Sequence, residues 1–69
     1  MYDLGVVDRM CGLDAFRGLW RSRCLEDDGL AVGWSVTFIL DGEYTETKYC
    51  RTKELACRRA LFHLGLGPE

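Results

Sequence analysis

Few side chains here are equipped for chemistry, and their spacing limits what they can do. His63 is the only histidine, and so the one ordinary candidate for a general base near neutral pH. No motif ties a serine or cysteine nucleophile to it; Cys57, six residues earlier, falls in what reads as a packing stripe. The four cysteines, Cys11, Cys24, Cys50 and Cys57, are spaced by 13, 26 and 7 residues with no C-x-x-C pair, which does not compose a zinc set. Glu26, Asp27 and Asp28 adjoin one another instead of alternating like the oxygen ligands of a calcium loop, and read as a solvated turn. No glycine-rich phosphate cradle is present. The expectation is a protein that is not an enzyme and has no metal or cofactor.

The basic residues carry more information. Arg17, Arg21 and Arg23 precede the acidic turn, and Arg51, Lys53, Arg58 and Arg59 gather around the last predicted helix. Leu55 and Phe62 fall beside Arg58 and Arg59 on the side of that helix away from its apolar stripe. Aromatic and aliphatic groups flanked by arginine have the composition of a protein-interface hot spot, unless the N-terminal helix covers them. A second candidate surface is acidic, with Glu26, Asp27, Asp28, Asp41, Glu43 and Glu46 at the hairpin ends. It would compete electrostatically with phosphate for a nucleic-acid groove on a target.

These groups must be positioned by a small core. At 69 residues the chain is one domain, near the lower limit for a core without staples, and 48% of it is hydrophobic. A formal charge of -2 disfavours nonspecific binding to nucleic acid or an anionic membrane. No apolar run approaches the roughly 18 residues of a membrane span. The N-terminus carries Asp3 and lacks a basic segment followed by an apolar run, so a cytoplasmic protein with free thiols is expected.

The clearest element is residues 34 to 64. Trp34, Val36, Phe38 and Leu40 alternate as a strand does, and Asp41-Gly42 is a preferred type I′ hairpin turn. The last helix is expected from Lys53 to about Leu64, with Thr52 as N-cap, Gly65 beyond its end, and Ala56, Cys57, Ala60, Leu61 and Leu64 on one stripe. Residues 3 to 11 suit a short helix capped by Asp3, with Leu4, Val7 and Cys11 at helical spacing. Residues 13 to 25 fit either helix or strand. If Asp27-Asp28-Gly29 is a three-residue hairpin loop, Glu26 pairs with Leu30, and Trp20, Ser22 and Cys24 join Val32, Trp34 and Val36 on the core face. Arg21 and Arg23 then share the other face with Ser35, Thr37, Tyr44, Glu46 and Lys48. The fold class is α+β: a helix, a three-stranded antiparallel meander, and a helix.

That order is similar to the double-stranded-RNA-binding domain, and Thr52-Lys53-Glu54-Leu55-Ala56 resembles the Ser-Lys-Lys-x-Ala-Lys entry to that family's last helix. Glu54 and Cys57 replace two of its lysines, and the loop between the first two strands is acidic. The resemblance implies the topology, and with it a nucleic-acid-binding alternative using Arg51, Lys53, Arg58 and Arg59. Residues 33 to 66, with Gly33-Trp34-Ser35-Val36 and Leu55-Ala56-Cys57-Arg58-Arg59-Ala60-Leu61, look like small bacteriophage accessory proteins of the ABA-sandwich type. This second resemblance allows the helices to lie on opposite faces of the sheet, which would bury Ile39, Tyr44 and Cys50. Together the residues and resemblances lead to a noncatalytic phage-type binding protein that inhibits a host defence protein by occupying its surface, for example an anti-CRISPR protein. Its expected partner is a host protein or nucleoprotein complex, or a second copy of itself.

Overall fold

A computed structural model describes residues 4–26 and 29–67. The elements are α1 (Leu4–Cys11), β1 (Phe16–Glu26), β2 (Gly29–Leu40), β3 (Glu43–Glu46) and α2 (Lys53–His63). The strands form one antiparallel sheet in the order β1-β2-β3, so the α+β class and element order are as expected. The Asp3 cap and the Asp27-Asp28 loop lie outside the described residues, as do the side chains of Cys24 and Glu26.

The second hairpin follows its turn chemistry. Asp41 and Gly42 have φ of 53° and 81°, and Leu40 pairs with Glu43. The Asp41-Gly42 turn, continued unbroken, would bring Tyr49 opposite Trp34; beyond Thr47 the chain slips by one residue against β2, and Trp34 bridges Cys50 instead. Cys50 is thereby buried on the helix side. Gly33 admits this crossing because it has no Cβ: one placed there would collide with the Cys50 carbonyl oxygen and the Tyr49 ring.

The first hairpin corrects the expected register. Glu26 pairs with Gly29, leaving two loop residues instead of three, and every pair moves by one: Leu19 opposite Val36, Trp20 opposite Ser35, Arg21 opposite Trp34, Arg23 opposite Val32. Because side chains alternate with period two, a one-residue shift exchanges the faces of β1. Leu19 and Phe16 now pack on the core, while Trp20 lies on the opposite face, 53% exposed. Its indole covers Gly18 and donates from Nε1 to Thr37 Oγ1 at 2.9 Å. The polar end of the indole thus keeps a partner that a wholly apolar core would deny it. Ser22 follows Trp20, and Arg21 and Arg23 move to the helix side of the sheet.

Both helices cover that side. One core joins Val6 and Met10 of α1, Val36 and Phe38 of β2, Cys50, and Ala56, Cys57, Ala60 and Leu61 of α2. The buried residues of α1 are therefore Val6 and Met10; Val7 is half-buried against the core, Cys11 is exposed, and the Leu4 side chain lies outside the described residues. Tyr44, on the uncovered face, is 74% exposed. Of the two arrangements left open by the sequence, the domain adopts two layers. The ends of α2 are as expected: Thr52 Oγ1 accepts from Leu55 N at 3.1 Å. At the other end Gly65 N and Leu66 N donate to Phe62 O and Leu61 O, with Gly65 at φ 75°.

Candidate interaction surfaces

At about 100° per residue, the buried stripe of α2 leaves Leu55, Arg58, Arg59 and Phe62 together on the outer side within an arc of about 100°. Leu55 and Phe62 are 47% and 45% exposed, so α1 does not enclose them, and Leu66 just past the helix is also half-exposed. Arg58 and Arg59 are exposed along the flanks. The strong cap at Thr52 and the paired carbonyls at the other end hold this face rigidly, which lowers the entropy lost when a partner docks.

The other two residue sets are split by the fold. Lys53 projects toward the sheet, over Trp34, while Arg58 and Arg59 point outward, so these three do not line one continuous track; Arg51 is exposed just before the helix. The acidic set is divided because consecutive turns of a meander lie at opposite ends of the shared strand. The 12 residues of β2 separate the turns by roughly 35 Å. Asp41, Glu43 and Glu46 remain exposed at one end, and Glu46 accepts a long hydrogen bond from Ser35 Oγ at 3.4 Å. Glu26 belongs to the other end, and Asp27 and Asp28 lie outside the described residues.

The structure also assembles a cluster that the sequence reading missed. Trp34 carries the Arg21 guanidinium 5.2 Å and the Lys53 ammonium 4.6 Å from its ring centroid. Each cation gains from the quadrupole of the ring, by about 0.5–1 kcal/mol where solvent is near. Arg21 comes from the strand opposite and Lys53 from the first turn of α2. The alternation of Arg21 and Arg23 was visible, but the expected register placed both behind the sheet.

The candidates for chemistry are dispersed. His63 stacks on Phe38 with centroids 6.2 Å apart and meets Phe62 edge-on at 5.9 Å. Cys57 is buried between α2 and the sheet; burial first, then nearby Cys11 and Glu54, push its thiol up to about 11. A thiol so held is protonated at neutral pH and a poor nucleophile. Among the described residues Cys11, Cys50 and Cys57 are free thiols, and no group of three His, Cys, Asp or Glu side chains is placed to hold a metal ion. No helix among the described residues is long and apolar enough to cross a membrane. Comparison with family models, curated proteins and solved structures finds no match for this chain.

Proposed function

We propose that this chain is a noncatalytic binding protein that acts by occupying a surface of another protein, and that the outer face of α2 is its anchor. The observation that carries this reading is the half-exposure of Leu55 and Phe62, about two turns apart on one face of a capped helix, with Arg58 and Arg59 between them. Taking such a side chain from full exposure to full burial contributes about 1.5–3 kcal/mol. Leu55 and Phe62 are half-covered already, so about half of that remains to be gained. Inhibition of a host defence protein by a phage-type protein, as an anti-CRISPR protein does, is the specific form this reading takes.

The nucleic-acid alternative is supported by the α-β-β-β-α order with both helices on one side of the sheet. It is weakened because Lys53 lies on the sheet side of α2 while Arg58 and Arg59 lie on its outer side. Affinity purification from bacterial lysate, with and without nuclease, separates the two. The proposal expects a protein retained after nuclease and lost with Leu55→Asp/Phe62→Asp. Recovery of nucleic acid instead, with binding that falls by orders of magnitude between about 50 and 200 mM salt, would replace it.

A further inference from the structure

On the β3 side of β2, the backbone groups of alternate residues are taken up one by one. Phe38 pairs with Thr45. Val36 N donates to Thr47 Oγ1 at 3.0 Å and Val36 O accepts from Thr47 N at 2.9 Å. Trp34 exchanges two bonds with Cys50, at 2.7 and 2.9 Å. The pairing with β1 is unshifted from Gly18 to Glu26, so the alternation continues and Val32 and Leu30 direct their N–H and C=O to this same side. There the chain has already left the sheet for Arg51 and α2, and no described strand continues the ladder. β2 is thus a central strand over one half of its length and an edge over the other.

Unpaired strand edges are templates for another strand, and proteins usually blunt them with charge or proline. From Val32 to Trp34 this one is bordered by apolar and cationic groups, with Glu26 of β1 at its far, Leu30 end. Val32 is 50% exposed, Arg23 sits opposite it, and Trp34 with Arg21 and Lys53 closes the end of the slot. All of these lie on the helix side of the sheet. Independently of the α2 surface, we infer that the open edge of β2 from Leu30 to Trp34 receives an extended, acidic segment of a partner protein as an added strand. Backbone bonds to Leu30 and Val32 would set its register, and its carboxylates would face the Arg21, Lys53 and Arg23 cations.

Charge complementarity selects this occupant. A nucleic acid strand would need a free ring for base stacking, whereas the Trp34 ring already carries two cations.

The test is an NMR titration of the full chain with a short peptide of alternating glutamate and valine, and with its lysine counterpart. The acidic peptide is expected to move the Leu30 and Val32 amides and the Trp34 indole N–H, and the lysine peptide to leave them in place. Val32→Pro removes the outward donor without touching the β1 ladder, and Lys53→Glu reverses one border charge. Each is expected to weaken the acidic peptide by about tenfold or more, and Lys53→Glu serves alone if the proline variant does not fold. Leu55→Asp/Phe62→Asp is expected to leave the titration unchanged, which keeps this site distinct from the helix surface. No movement of these signals at millimolar acidic peptide, or equal movement with both peptides, overturns the inference. So does movement by oligothymidylate alone, which assigns the edge to nucleic acid, or concentration-dependent broadening without peptide, which assigns it to a second copy.

Discussion

The two hairpins of this sheet share β2 but are specified in different ways. In the second, Asp41-Gly42 requires positive φ at both positions, and the turn alone fixes which residues pair. In the first, Asp27-Asp28-Gly29 serves a two-residue or a three-residue connection, and the choice passes to the strands. The core decided it: Phe16 and Leu19 fill the space beneath α1 and α2. Trp20 finds a glycine to lie on and a hydroxyl for its N–H on the other side. A turn with one backbone solution transmits register locally, whereas a permissive turn leaves register to packing.

The sharpest way to break this comparison is Gly33→Ala, at the residue where both ladders meet. The added methyl confronts the Cys50 carbonyl, a backbone atom already bonded to Trp34. We expect a loss of about 2–4 kcal/mol in urea denaturation; a loss under about 0.5 kcal/mol would mean that the 49–50 segment does not cross there. The register itself is read by close Hα–Hα contacts expected between Arg21 and Trp34 and between Leu19 and Val36. Contact between Ser22 and Trp34 would restore the three-residue loop.

Next in size is a pH effect from the core that selected the register. Burial raises the Cys57 thiol from 9.0 to about 11 in the folded protein. Between those values the unfolded chain has lost a proton that the folded one retains, so stability falls as pH rises through this window and levels off above it. The expected loss is on the order of 1–2 kcal/mol, measured as the difference in urea midpoint between wild type and Cys57→Ala. A difference that does not change with pH would place the thiol in water.

Two smaller effects sharpen the contrast. Thr52→Ala removes the cap that orients the outer face of α2 and is expected to cost about 1 kcal/mol by thermal denaturation, with weaker partner retention. Gly18→Ala meets the Trp20 indole, a side chain free to swing toward solvent, unlike the carbonyl at Gly33. A cost below about 1 kcal/mol is expected, with a change in Trp fluorescence; a cost equal to that of Gly33→Ala would show Trp20 to be as fixed as backbone.

Much of the binding face of α2 was legible, because Thr52, Gly65 and the period of Ala56, Cys57, Ala60 and Leu61 are local signals. Leu55 and Phe62 were readable as outward, but whether α1 covered them was not, since that depends on where Val6 and Met10 insert. The Trp34 cluster and the open β2 edge were illegible for one reason. Both arise from pairs distant in sequence: Arg21 with Trp34 follows from a two-residue first loop that the turn residues alone do not select, and Trp34 with Cys50 departs by one residue from the continuation of the second turn.

The sequence by itself therefore determined the second turn, both ends of α2 and the order of elements from residue 34 onward, since each rests on backbone preferences acting within a few residues. Only the tertiary structure decided that residues 16 to 26 form a strand, which face of β1 meets the core, the stripe of α1 and the side of the sheet on which both helices lie. Those choices compare whole alternative packings, and an alternating strand with leucine on one side and tryptophan on the other is compatible with either until the core is filled.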